Sequence, residues 1–342
     1  MEKKDILSLT FEELTTIFEQ IGEKKFRALQ VYQWLHEKRA VSFDEMTNIS
    51  LTLRTKLSDE FCIKRLNVAK KLESTIDNTV KYLYELDDGN HIESVVMDYH
   101  HGASLCVSTQ VGCKMGCNFC ASTIAGFKRN LEPSEILLQL YTAERDMGIK
   151  ISSIVLMGIG EPLDNYDNVI AFLKILSSEN GTNMSLRHVS LSTCGLVDRI
   201  YELAELKLGL TLSVSLHASS DEVRSEIMPV NRKYHISELM EACRYYLKVT
   251  GRRISFEYAL IEGVNDKRED ADGLIRLLKG MNCHVNIIPV NSIKERSYKS
   301  GRASVERFVA MLEKGGLGVT VRRTLGSDIN AACGQLRREY EI

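Results

Sequence analysis

The sequence predicts an α/β protein: a partial or complete (β/α) barrel carrying a small N-terminal helical domain and a β-hairpin extension. Three observations predict it. Helix-periodic segments fill the early part of residues 1–75, two alternating runs flank a turn signal within 76–98, and short apolar runs alternate with helical stretches across 99–342. These three spans are the expected domains: an N-terminal helical accessory domain, a hairpin linker and the barrel core with its C-terminal segment.

The elements follow in order. Thr10-Phe11-Glu12-Glu13 has the form of a capping box, and Leu14, Ile17, Phe18 and Ile21 recur at helical spacing behind it. Gly22 is placed to end that helix. Residues 26–36 and 51–61 read as two further helices. Lys24, Lys25, Arg27, Lys64 and Arg65 in this region read first as a solvated face and second as groups able to touch phosphates. Val80-Lys81-Tyr82-Leu83-Tyr84 alternates, Asp87-Asp88-Gly89-Asn90 supplies turn chemistry, and the strand pattern resumes at Ile92. Barrel strands are then expected at 104–109, 153–157, 188–192, 211–215, 254–260, 284–288 and 318–321. No Gly-x-Gly-x-x-Gly turn opens the first unit, which favours a barrel over a dinucleotide-binding sheet. Polar clusters stand where the strands end, at Gly158-Ile159-Gly160-Glu161, Ser192-Thr193, Ser215-Leu216-His217 and Pro289-Val290-Asn291.

Composition narrows the function. With 342 residues, 44% apolar and 26% charged, the chain can bury a sizeable core. The start, Met1-Glu2-Lys3-Lys4-Asp5, lacks the apolar block of a signal peptide, and no run is long and apolar enough to span a bilayer. A cytoplasmic protein with no membrane partner is expected. The net charge of -2 announces no nucleic acid, so an RNA partner must be argued from motifs. Nine cysteines in such a chain point to metal ligands, catalytic thiols or buried free thiols before disulfides.

Cys113, Cys117 and Cys120 lie within eight residues, in a loop after the first barrel strand. A structural zinc site wants four protein ligands, and no downstream Cys-x-x-Cys or His pair completes one. A 4Fe-4S cluster can use three thiolates and keep one iron open. The spacing Cys-x-x-x-Cys-x-x-Cys, with Phe119 before the last cysteine, resembles the radical S-adenosylmethionine (SAM) superfamily, whose open iron chelates the cofactor. Gly158-Ile159-Gly160-Glu161-Pro162 is similar to that superfamily's glycine-rich segment.

A closer resemblance, covering nearly the whole chain, is to the RlmN and Cfr family of rRNA adenine methyltransferases. It is carried by Ser108-Thr109-Gln110-Val111-Gly112-Cys113, Gly126-Phe127-Lys128-Arg129-Asn130-Leu131, Ser215-Leu216-His217-Ala218, Met228-Pro229-Val230-Asn231, Gly263-Val264-Asn265-Asp266 and Ala331-Ala332-Cys333-Gly334-Gln335-Leu336. The resemblance implies one 4Fe-4S cluster on Cys113, Cys117 and Cys120, and two SAM molecules consumed per methylation. It makes Cys333 the cysteine that is S-methylated, Cys106 the thiol that resolves the covalent adduct and later shares a disulfide, and Glu93 the proton acceptor. Gly160, Glu161, Ser192, Ser215, Leu216, His217 and Asn291 fall where the family contacts SAM.

That set suits the chemistry. Carbon 2 of adenine is electron-poor and cannot take an electrophilic methyl directly, whereas a thiolate can. By resemblance, a second SAM, cleaved reductively, then activates the methylthioether for addition to the base. The implied partners are 23S rRNA before full ribosome assembly, methylated at adenosine 2503, tRNA at adenosine 37, and an electron donor such as flavodoxin or ferredoxin. Pro162 fits the carbon 2 branch of the family better than the carbon 8 branch, which has alanine there. Asn330 stands where an aspartate is expected, while Asp328 is present. From the residues alone, Cys106 and Cys333 also read as packing thiols, Glu93 as a solvated carboxylate and His217 as a structural histidine. Cys62, Cys194, Cys243 and Cys283 match no role. A zinc-binding RNA-interaction protein remains the alternative from another class.

Overall fold

The structure, a computed structural model, describes residues 3–290, 298–329 and 331. Lys4–Asp5 (β1) pairs in parallel with Phe61–Cys62 (β2), tying together the ends of a unit whose helices are Phe11–Gln20 (α1), Lys25–His36 (α2) and Leu51–Glu60 (α3). The capping box forms: Glu13 N donates to Thr10 Oγ1 at 3.3 Å, and Thr10 N donates to Glu13 Oε2 at 2.8 Å. Leu14 and Phe18 of α1 are buried in one core with Val31, Tyr32 and Leu35 of α2.

The expected hairpin is short by one strand. Asn67–Glu73 (β3) pairs antiparallel with Val80–Glu85 (β4), which pairs antiparallel with His91–Tyr99 (β5). Lys70, Lys71 and Glu73 give β3 the charged character of a protected edge, so it shows no apolar alternation to read. Through β5 the extension joins the main sheet at Gly102–Cys106 (β6). A separate ribbon of Gln110–Gly112 (β7) and Phe127–Asn130 (β8) follows.

Pro133–Met147 (α4) then leads to Ile151–Leu156 (β9), Tyr166–Ser177 (α5) to Val189–Thr193 (β10), and Val197–Glu205 (α6) to Thr211–Ser215 (β11). Asp221–Ile227 (α7) and Ile236–Thr250 (α8) lead to Ile254–Leu260 (β12), Arg268–Leu278 (α9) to Cys283–Pro289 (β13), and Arg302–Lys314 (α10) to Val319–Val321 (β14). Strands β6 and β9 to β14 lie side by side in chain order, all parallel. Because the order advances in one direction, right-handed crossovers put the helices on one face and leave the other to curve inward. Among the described residues β14 and β3 are the two edges of a ten-stranded sheet, so the barrel is partial. The runs at 211–215 and 254–260 coincide with β11 and β12; the first barrel strand ends sooner than expected, at Cys106. No helix among the described residues is long and apolar enough to cross a membrane.

Candidate active site

A cavity of about 600 Å³ opens at the C-terminal ends of the parallel strands. Cys106, Cys113, Cys117, Cys120, Gly160, Glu161, Ser192, Ser215 and His217 all line it, although they come from four strand ends and one loop. Leu216 is buried beside it, and its N–H donates to the Glu257 carbonyl at 3.1 Å. Asn291 and Cys333 lie outside the described residues.

The cysteine loop is pinched at its base by β7 and β8. Gly112 has φ +76°, and a Cβ there would stand 1.7 Å from the Gly126 carbonyl oxygen, so only glycine lets the two ends of the loop meet. Cys113 and Cys117 are buried, and burial pushes the Cys113 thiol up to about 12. Burial also raises the Cys117 thiol, with like-charge effects from Cys120 and Cys113 behind it. Phe119 sets its ring edge-on to His217, centroids 4.8 Å apart.

The glycine-rich segment is zipped to the end of β6. Gly158 N donates to Val107 O at 3.0 Å, and Thr109 N and Gln110 N donate to Ile159 O at 2.9 and 3.1 Å. A Cβ on Gly158 would lie 2.5 Å from the Val107 oxygen, and one on Gly160, at φ +111°, 2.6 Å from Gln110 Cβ. Glu161 stitches two loops: Oε1 accepts from Leu163 N at 3.0 Å and Oε2 from Cys194 N at 2.7 Å. Burial raises its pKa, while those donors pull it back. His217 adopts φ +56°, and its Nδ1 accepts from Ala259 N at 2.8 Å, which puts the ring proton on Nε2. Burial lowers its pKa to about 3, so the ring is neutral. A non-glycine residue held at positive φ in a cavity wall is the kind of strain that marks working sites.

Glu93 is not a solvated carboxylate. It is 3% exposed, and its Oε2 lies 3.1 Å from Nζ of the wholly buried Lys81. Its neighbours two and four residues on, Val95 and Met97, share its face of β5 and line the cavity, and Val95 stands opposite Cys106. Ala331, two positions before Cys333, packs with Val95, Met97 and Cys106. The segment leading there is tied down: Gly326 N donates to Asp77 Oδ2 at 2.9 Å, and Asp328 accepts from Ser74 Oγ and Thr75 N at 2.7 and 2.8 Å.

Residues 4–63 match the ribosomal RNA large subunit methyltransferase N-terminal domain, and residues 107–278 match the radical SAM superfamily. A protein of Lachnospira eligens named probable dual-specificity RNA methyltransferase RlmN is 55% identical, the alignment covering 98% of this chain and 96% of that one. Its namesake from Alkaliphilus oremlandii is also 55% identical, over 99% of both chains. The crystal structure of a radical SAM methyltransferase from Sphaerobacter thermophilus superposes with a TM-score of 0.91 at 40% identity, covering 97% of this chain and 98% of that one.

The chain belongs to the RlmN family of radical SAM RNA methyltransferases. An RlmN-family protein uses a 4Fe-4S cluster and SAM, and the residues present fit both. Three thiols on one cavity wall, two of them buried, reach thiolate form most readily when a metal replaces the proton. Among the described residues no three His, Cys, Asp or Glu side chains converge on a single metal ion. A cluster that takes one iron per thiolate does not ask for that convergence.

Three further charged residues of this RlmN-family chain, Lys81, Arg224 and Glu257, are buried without belonging to any of its motifs. Lys81 carried a usable signal, since the hairpin pairing that sets Leu83 against Glu93 puts a lysine diagonal to that carboxylate. Glu257 lines the cavity from β12, its carboxylate accepting from Ser255 Oγ at 2.9 Å and Asn286 Nδ2 at 2.7 Å. Burial raises its pKa. On an inward-facing strand it was hidden among apolar residues. Arg224 lies on a helix of only seven residues, too short for periodicity to show its buried face.

Proposed function

We propose that this chain methylates carbon 2 of adenosine 2503 in 23S rRNA and of adenosine 37 in tRNAs by way of a methylated Cys333. One observation carries the reading: Cys106 lines the same cavity as the three loop cysteines, and the residue two before Cys333 packs against it. Two residues of chain span at most roughly 7 Å, a short reach that supports pairing the two thiols. Pro162, buried at the start of the turn after Glu161, favours carbon 2 over carbon 8.

Cys113, Cys117 and Cys120 would hold the cluster. Gly160, Glu161, Ser192, Ser215, Leu216, His217 and Asn291 would surround SAM, with neutral His217 presenting a donor. When bound, the cluster and SAM supply the methyl group and the one-electron chemistry that activates it. The protein's own part is bond exchange at two sulfurs and one carboxylate. Cys333 Sγ, as thiolate, displaces the methyl from the sulfonium, forming a thioether. Once that carbon is joined to carbon 2, Glu93 takes the proton carbon 2 loses, and the unpaired electron left by the one-electron activation would go back to the cluster. Cys106 Sγ then attacks Cys333 Sγ. The carbon–sulfur bond breaks, the released carbon takes a proton to become the methyl group, and a Cys106–Cys333 disulfide is left for a thiol reductant. A low-potential carrier of the flavodoxin or ferredoxin kind would supply the electron, and 23S rRNA before full assembly and tRNA would be the substrates.

The two thiols separate in experiment. Cys333→Ala is expected to give neither methylated protein nor methylated RNA. Cys106→Ala is expected to accumulate RNA joined to Cys333, seen on a denaturing gel and mapped by mass spectrometry. Normal turnover by Cys106→Ala, or a cross-link at another residue, would overturn the roles. A methyl found on carbon 8 would overturn the regiochemistry alone.

A further inference from the structure

Arg224 is wholly buried, on the short helix whose Ile227 carbonyl accepts from Asn118 N in the cysteine loop. Its Nε donates to Leu216 O at 3.1 Å, Nη1 to Asn231 Oδ1 at 3.0 Å, and Nη2 to Cys194 O at 2.7 Å and Ser215 O at 3.2 Å. Every one of these acceptors is neutral. An arginine sealed from water without an anion is costly, and such groups are almost always paired. Two carboxylates face it at one remove. Asp221, 43% exposed, reaches it through Asn231, whose Nδ2 donates to Asp221 Oδ1 at 2.9 Å. Glu161 lies across the Cys194 peptide, whose N–H it holds.

Among the described residues the other candidates for its counter-charge are sulfurs. Cys117, Cys194, Ile227 and Met228 form one buried cluster, with Phe119 and Cys120 packed on it. The helix that carries Arg224 also grips the loop, since Asn118 N donates to Ile227 O at 2.8 Å. A 4Fe-4S core in its resting 2+ state with three thiolates is a net anion, and adding one electron doubles that negative charge. A fixed cation nearby therefore favours the reduced cluster, net charge being one of the levers that set such potentials.

We propose that Arg224 is the buried counter-charge of the iron–sulfur cluster and raises its reduction potential toward the reach of a low-potential one-electron donor. The proposal rests on the cluster that family membership brings, and not on the roles given to Cys333, Cys106 or Glu93. The test is an anaerobic redox titration of the iron-loaded full chain, followed by electron paramagnetic resonance, with dithionite as reductant. Arg224→Gln removes the charge, and Arg224→Lys keeps it while giving up most of the hydrogen bonds.

At the potential where half of the wild-type clusters are reduced, Arg224→Gln should show a reduced-to-oxidised ratio at least threefold lower. That corresponds to about 28 mV at 59 mV per decade for one electron. Arg224→Lys should stay within threefold of wild type. A Gln variant that folds but takes up no iron, beside a Lys variant that does, also supports the assignment. It is overturned if the Gln variant titrates within threefold of wild type, or if the Lys variant shifts as far as the Gln variant. Failure of both variants alike to fold or load overturns it too, because one of them keeps the charge. Absence of any cluster in the wild-type chain would instead strike at the cofactor itself.

Discussion

Lys81 Nζ stands 3.1 Å from Glu93 Oε2, with the two side chains 0% and 3% exposed. They sit on adjacent antiparallel strands, one diagonal step from where Cys106 faces Val95. Removing one member of a buried ion pair strands the other, at about 3–5 kcal/mol, whereas removing both costs much less. Lys81→Met and Glu93→Gln are each expected to lower unfolding free energy by about 3 kcal/mol, and the double variant by clearly less than the sum. Urea unfolding of the four proteins measures this. Additivity to within about 0.5 kcal/mol would show that the pair is not energetically coupled.

The contrast between two glycines separates backbone strain from crowding in the cofactor wall. Gly160 combines φ +111° with a Cβ position 2.6 Å from Gln110 Cβ, while Gly251 ends α8 at φ +65° with nothing within 4 Å. Gly251→Ala should cost about 1 kcal/mol and leave binding of S-adenosylhomocysteine unchanged. Gly160→Ala must also displace Gln110, whose Oε1 accepts from Glu161 N at 2.9 Å and whose Nε2 donates to Asp164 at 2.7 Å. It should cost about 2–3 kcal/mol and weaken that ligand at least tenfold. Equal effects of the two substitutions on binding would contradict this account.

Those examples show what the sequence could and could not disclose. Strand ends were legible because parallel strands buried on both faces are short apolar runs punctuated by polar turns, as at 211–215 and 254–260. The cysteine loop was legible because ligand spacing is local. Strand β3 was not, because a charged edge strand has no pattern to detect. Arg224 and Glu257 were not, because burial of a charge is settled by partners far along the chain: Arg224 leans on Cys194, 30 positions away, and Glu257 on Asn286, 29 away. The nearness of Cys106 to the C-terminal segment is likewise a long-range fact, dependent on Asp328 gripping the turn at Ser74 and Thr75.

A basic patch at the start of α2 allows a test of where RNA binds. Lys24 and Lys25 are exposed, whereas Arg27 donates to Gln30 Oε1 at 2.8 Å and to Asn48 O at 3.3 Å and so helps hold the N-terminal unit together. Reversing Lys24 and Lys25 to glutamate, with Arg27 left intact, should weaken RNA binding and reduce the slope of log affinity against log salt by up to about 2. Uncoupled SAM cleavage should be unchanged. An unaltered affinity at every ionic strength would return these lysines to a merely solvated face.

His36 makes the N-terminal unit acid-sensitive. Its ring is wholly enclosed between Tyr32 and Tyr141, with Nδ1 3.1 Å from Tyr141 Oη and Nε2 lacking any partner among the described residues. Burial lowers its pKa from the ordinary 6.5 to about 3. The folded chain therefore keeps His36 neutral down to about pH 3, while the unfolded chain takes up a proton below about 6.5. Between those values the unfolded state binds more protons, so stability is fully present above the upper value and is lost as the pH falls. At pH 5, one and a half units below the unfolded value, the loss from this residue is about 2 kcal/mol. His36→Phe keeps a ring of similar size and removes the titration. Its unfolding free energy should thus fall less between pH 7 and pH 5 than that of the wild type, by about 2 kcal/mol in urea titrations. His217, lowered to about 3 in the same way, should leave a residual slope in the variant. A variant that loses as much stability as the wild type over that interval would show that His36 is protonated in the folded chain, and that the space around it admits water.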